Sequence, residues 1–257
     1  MTRRHRVIAG LLAGAAALGP AGCGAAGAPS AGGSGSEPAG EVVVFAAASL
    51  TDTFTRLGED FEAANPGVTV TLNFAGSSAL AQQITQGAPA DVFAAAAPAP
   101  MRQAGATDPA TFALNTLQIA VPAGNPAGVS GLADLGDPAR TVALCAEQVP
   151  CGAAALAAFT AAGITPRPDT LEQDVRAVLA KVRLGEVDAG LVYRTDVRAA
   201  GDDVEGIDFP EATQAVNEYP IAVLPQAPNA ATARAFVAFV LSDHGRAVLT
   251  AAGFDLP

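Results

Sequence analysis

This chain of 257 residues has no tryptophan, two tyrosines and only 5% aromatic residues, although half of it is hydrophobic and much of that half is alanine. Charged residues make up 15%, below the roughly 25% usual in soluble domains. The chain is nevertheless too apolar to be a disordered acidic one. Fourteen Lys and Arg oppose 25 Asp and Glu, a formal charge of −11, and no dense basic stretch follows the first six residues. That argues against a nucleic-acid partner. Histidine is limited to two and cysteine to three, and beyond the N-terminal segment only His244 remains, which leaves a metal site short of ligands. No Walker-type loop, GxSxG or HExxH string occurs. A Ser-His-Asp triad would have to use His244, which falls on the solvated face of an amphipathic pattern. Asp202-Asp203 lie in a glycine-flanked loop and read as solvated. The expectation is a protein that is not an enzyme and holds no cofactor.

Long hydrophobic runs are also missing. The N-terminus reads MTRRHRVIAGLLAGAAALGPAGC, with Arg3, Arg4 and Arg6 ahead of an apolar run from Val7 to Leu18. That run is too short to span a bilayer and reads as a secretory signal over residues 1–22. Gly22-Cys23 resembles a bacterial lipobox, with Pro20 where such boxes usually carry leucine; Cys23 is then the lipidated first residue of the mature chain. Residues 23–40 are a Gly/Ala/Ser/Pro tether. The expected location is the outer face of the cell membrane, held by a lipid anchor, with a free periplasmic protein as the alternative. Removing residues 1–22 takes three arginines and no acids, so the charge falls from −11 to −14. In that oxidising compartment Cys145 and Cys151, six positions apart, are expected to form a disulfide.

From Glu41 onward short apolar runs alternate with helical patterns. Val42–Ala46 reads as a buried strand, and Leu50, Phe54, Leu57 and Phe61 recur at helix spacing until Asn65-Pro66-Gly67. Val68–Phe74 is a second strand, Leu80 and Ile84 mark a short helix, Asp91–Ala94 a third strand and 99–104 a helix. Strands follow at 117–121, 141–144, 189–193 and 221–224. A helical turn is expected at 132–135, helices at 153–162 and 175–182, and one long amphipathic helix over 231–251. The β-α-β rhythm implies mainly parallel sheets covered by helices, and the length favours two α/β lobes over one sheet.

Three strand-to-helix turns stand out. They are VVVFAAASLTDTF with Ser49 and Asp52, LNFAGSSAL with Ser77 and Ser78, and LCAEQVPCGAAAL with Pro150-Cys151-Gly152. Helix N-termini carry unpaired N–H groups and the positive dipole end, so each is a possible anion seat. For any one of them ordinary capping is the simpler reading, and Ser49 with Asp52 has capping-box spacing; three at one kind of turn point toward a ligand edge.

VFAAASLTD (44–52), FAGSSALAQQI (74–84), GAPADVF (87–93), EQVPCG (147–152), QDVRAVLAKV (173–182), GLVYRTD (190–196) and EYPIAV (218–223) together resemble the molybdate-binding proteins of bacterial ABC importers, in family order. The resemblance implies an α/β, two-lobed, periplasmic-binding-protein-like fold with the ligand in the cleft between lobes. Residues 41–120 plus 222–257 would form lobe 1, and 121–221 lobe 2. It implies hydroxyl ligands at Ser49, Ser77 and Tyr193 and backbone amide ligands at Cys151 and Val175. Here Cys151 stands where the family has alanine, and Gln173 where it has glutamate. The implied ligand is molybdate, with tungstate beside it, the alternative being another tetrahedral oxyanion such as sulfate or phosphate. The implied partners are the permease subunits of an ABC importer, with the binding protein acting as a monomer. Molybdate and tungstate are acceptor-only dianions at neutral pH, so neutral hydroxyl and N–H donors suffice. A Cys145–Cys151 disulfide would brace the loop that presents the Cys151 amide.

Overall fold

The computed structural model describes residues 37–257. The expected signal segment, the lipidation site Cys23 and the tether up to residue 36 lie outside the described residues. The last tether positions are part of the fold: Asn229 Nδ2 and Thr232 Oγ1 both donate to the Ala39 carbonyl at 2.8 Å.

β1 (Gly40–Ala47) is a continuous apolar run from Val42 onward, buried there except for half-buried Val43, as a central parallel strand should be. α1 (Thr51–Ala64) follows a single 3-10 turn at Ala48–Leu50. It buries Phe54, Leu57 and Phe61, one turn apart. Asn65 Nδ2 then bonds the Phe61 carbonyl at 2.8 Å and ends the helix. β2 (Val68–Ala75), α2 (Ser77–Thr85), β3 (Val92–Ala94), α3 (Pro98–Gln103) and β4 (Ala110–Asn115) complete the first pass. β5 (Leu117–Pro122), β6 (Val142–Cys145), α4 (Pro150–Ala162), β7 (Thr170–Glu172), α5 (Val175–Arg183), β8 (Ala189–Tyr193), α6 (Arg194–Ala200) and β9 (Val204–Ile207) form the second. β10 (Asn217–Val223), α7 (Ala230–Leu241) and α8 (Asp243–Ala252) return to the first.

There are two five-stranded sheets, in the orders β2-β1-β3-β10-β4 and β7-β6-β8-β5-β9. In each, four strands run one way and the fourth in order runs against them: β10 in the first sheet, β5 in the second. The reversed strand is in both cases the one that enters from the other sheet. This is the expected α/β two-lobed fold with mainly parallel sheets. The chain changes sheet at Thr116 and between β9 and β10; the sequence-based lobe boundaries lie a few residues further on in each case.

The largest aromatic cluster joins α1 to α7. Phe61 meets Phe236 at 5.3 Å between ring centroids and Phe54 meets Phe112 at 5.7 Å, and burying each such ring stabilises the fold by about 1.5–3 kcal/mol. The expected single helix over 231–251 is instead two helices bent by 60°. Ser242 is extended at the break; its Oγ donates to the Phe239 carbonyl and accepts the Gly245 N–H. A capping residue overrides the apolar periodicity there.

Candidate functional site

The strand registers bring the turns together. Ala47 pairs with Ala75, and Ala46 with Ala94, so β1, β2 and β3 end level. Ser49, Ser77 and Ala96, two residues past those ends, emerge at one carboxyl edge. In the second sheet Cys145 pairs with Glu172, and β8 lies against β6 on its other side. Val149–Cys151, Asp174-Val175 and Tyr193 therefore emerge at its carboxyl edge. Ligands of open α/β sheets bind outside such edges.

The two edges enclose one small cavity. Ala47, Ser49, Gly76, Ser77 and Ala96 wall it from the first sheet, and Val149, Cys151, Asp174, Val175 and Tyr193 from the second. All five positions expected from sequence line it, and all five are buried. Its volume of ≈ 10 Å³, traced by the centre of a water-sized sphere, is at the ~10–15 Å³ scale that holds one water. Such a space excludes an organic ligand of many atoms.

The local chemistry leaves donors over. Ser49 Oγ lies 2.9 Å from the Tyr219 hydroxyl. Neither Ser49 nor Ser77 caps its helix: Ser77 Oγ accepts the Ala96 N–H at 3.0 Å, which leaves the Ser77 proton unspent. Ser78 turns away and donates to the Gln148 carbonyl at 2.6 Å. Cys151 and Val175 sit in the first turns of α4 and α5, where N–H groups have no intrahelical acceptor. Asp174 caps α5 by accepting the Ala177 N–H at 2.9 Å. Cys145 and Cys151 are disulfide-bonded. The Tyr193 hydroxyl is buried and has no hydrogen-bond partner among the described residues. Burial, then the neighbouring Tyr219 and Asp196, push the Tyr193 phenol well above its ordinary pKa, so it stays a donor.

Several residues here went unread in the sequence. Tyr219 on β10 packs edge-to-face on Tyr193 at 5.9 Å, so both tyrosines of the chain meet at the site. Burial raises the Tyr219 phenol well above its ordinary pKa also, leaving it neutral. Asp196 lies buried behind the cavity, its Oδ2 accepting the Tyr193 N–H at 3.1 Å. The Ser49–Asp52 capping box does not form: Asp52 bonds Arg176 of α5. His244 is exposed beside Asp60 at 2.9 Å, and it is absent from the cavity wall.

Residues 42–255 match the family model of the bacterial extracellular solute-binding proteins. The chain is 47% identical over 233 residues to the molybdate-binding protein ModA of Mycobacterium tuberculosis H37Rv, covering 86% of this chain and 89% of that protein. It is 31% identical to the ModA of Haemophilus influenzae, covering 84% and 90%. Among solved structures, the periplasmic molybdate-binding protein of Azotobacter vinelandii superposes with a TM-score of 0.71 at 21% identity, covering 84% of this chain and 99% of that one. At that identity the superposition shows the fold.

Proposed function

The chain belongs to the bacterial extracellular solute-binding proteins, among the molybdate-binding relatives, and we propose that it captures molybdate, and tungstate with it, outside the cell membrane and passes the anion to an ABC importer. One observation carries the reading. Five buried positions from both sheets surround one small cavity, and the Tyr193 hydroxyl on its wall has no hydrogen-bond partner among the described residues.

The ligand needs no counter-cation. A tetrahedral dianion offers only acceptor lone pairs, and hydroxyl protons and first-turn N–H groups meet them at charge-assisted strength. The N-terminal ends of α4 and α5 add a positive dipole field, which opposes the negative charge of the whole chain locally. Ser77 gives its proton because its oxygen is already committed to the Ala96 N–H. Ser49 does the same when Tyr219 donates to it. Asp174, on the wall, spends an oxygen on capping α5. Capture and release would follow a hinge motion at the two places where the chain changes sheet. No bond is made or broken in the anion. Lipidation at Cys23, a monomeric state and docking on permease subunits complete the proposal.

Thermal unfolding with molybdate, tungstate, sulfate and phosphate in turn tests it. A ligand at a hundredfold excess over its Kd stabilises the folded form by about 2.7 kcal/mol. A shift with molybdate and tungstate alone is expected. A shift with sulfate or phosphate instead would reassign the anion, and no shift with any of the four would overturn the reading.

A further inference from the structure

We propose that Arg176 is a positioning residue that latches the two lobes shut over the ligand and ties that latch to Tyr193. The inference rests on the anion-capture reading above. Arg176 is the second residue of α5, next to the amide-bearing Val175. Its Nε lies 3.2 Å from Oδ1 of Asp196, whose side chain is fully buried, an ion-pair contact without hydrogen-bond alignment. The other oxygen of Asp196 holds the Tyr193 N–H, so the Arg176–Asp196 contact sits directly behind the ligand tyrosine. Arg176 also extends Nη2 to Oδ2 of Asp52, in the first turn of α1.

These two contacts differ in what they join. Arg176 and Asp196 both belong with the second sheet, so their contact persists however the lobes are arranged. Asp52 belongs with the first sheet, so the Arg176–Asp52 pair exists only when the lobes are shut. Only an interaction present in one state and absent in the other shifts an equilibrium between them. A planar guanidinium with several fixed donors can hold both carboxylates at once, which a lysine ammonium cannot do with the same geometry. The Ser78–Gln148 bond spans the sheets beside it, but neither of its partners reaches a ligand residue. Arg176 is the contact that links closure to Tyr193.

The test is the release of radiolabelled molybdate chased by unlabelled molybdate. Asp52 is 61% exposed, so Asp52→Asn should fold as the wild type does and melt at the same temperature without ligand. It should release the anion about two- to fivefold faster, the range of a partly exposed ion pair. Asp52→Glu, which keeps the charge, should restore slow release, and Arg176→Lys should speed it. The difference between wild type and Asp52→Asn should vanish in about 1 M salt, where the screening length is ~3 Å. Equal release rates at low salt, or an accelerated rate that Asp52→Glu does not restore, would overturn the latch. A wild-type protein that retains no molybdate would instead remove the capture reading beneath it.

Discussion

Tyr193 ends β8 with its hydroxyl buried and without a partner among the described residues, an arrangement that costs about 1–3 kcal/mol unless something binds there. Tyr193→Phe removes that cost and the ligand bond together. Molybdate affinity should fall by roughly ten- to a hundredfold, from the ~1.5–3 kcal/mol of a hydrogen bond to a charged group, while the ligand-free protein melts no lower; calorimetric titration beside a melting curve reads both. Gly76 acts by the space it leaves. A Cβ there would overlap the Gln173 carbonyl across the cavity, so Gly76→Ala should keep the fold and lose tight binding because the lobes no longer meet; scattering with and without molybdate would show no compaction. The five cavity-lining positions could be picked out because they sit in short turn strings at fixed places along the chain. Tyr219, Ala96, Asp196 and the Asp52–Arg176 pair were not. Tyr219 and the Asp52–Arg176 pair gain their roles from partners 170 and 124 positions away, Ala96 from Ser77 at 19, and Asp196 matters through Arg176 on another element, so no local pattern marks them.

Element geometry explains which segments the sequence revealed. β1, α1, β2 and α5 carry a clear apolar period, and they appear where the pattern places them. β4, α6, β7 and β9 were missed: they have six, seven, three and four residues, and none is apolar throughout, as the three-residue β3 is. Such segments take their conformation from the strand or helix they pack on. The α7–α8 break was hidden for the opposite reason, since the apolar period continues through Ser242 while the backbone does not. The Cys145–Cys151 disulfide ties the end of β6 to the first turn of α4, and so fixes the turn that presents the Cys151 amide. Reduction should loosen that turn and weaken molybdate binding several-fold, measured by titration with and without a reductant in which the overall fold is checked by circular dichroism. Unchanged affinity would mean that Gly152, where a Cβ would overlap the Ala146 carbonyl, and the helix itself hold the turn unaided.

Across the whole molecule, the buried acid sets the pH response. Burial raises Asp196 to about 7, with Arg176 working against the rise and Asp52 and Asp174 adding to it; Tyr193 and Tyr219 also face it and are neutral. The native state therefore keeps a proton between about pH 4 and 7 that the unfolded chain has released, and stability from this group declines as pH rises through that window and levels off above 7. Asp134 works the other way. The Ser130 and Gly131 donors hold its pKa low, and the stability it contributes is lost only as pH falls below the usual carboxylate range. Denaturant unfolding at several pH values should show stability greatest in mild acid, and Asp196→Asn, which can still accept the Tyr193 N–H, should flatten the decline toward neutrality. The two-lobed architecture was legible as a whole because strand and helix alternate from Glu41 onward, whereas the contacts between the sheets were not, because they join residues far apart in the chain.

Whether one small oxyanion sits between the two sheet edges is decided by a crystal structure of the molybdate complex, with the metal located by its anomalous scattering. A single strong peak is expected in the cavity, with anion oxygens within hydrogen-bond distance of the Ser49, Ser77 and Tyr193 hydroxyls and the Cys151 and Val175 amides. A peak elsewhere, or a bound anion that leaves the Tyr193 hydroxyl unpaired, would contradict that placement.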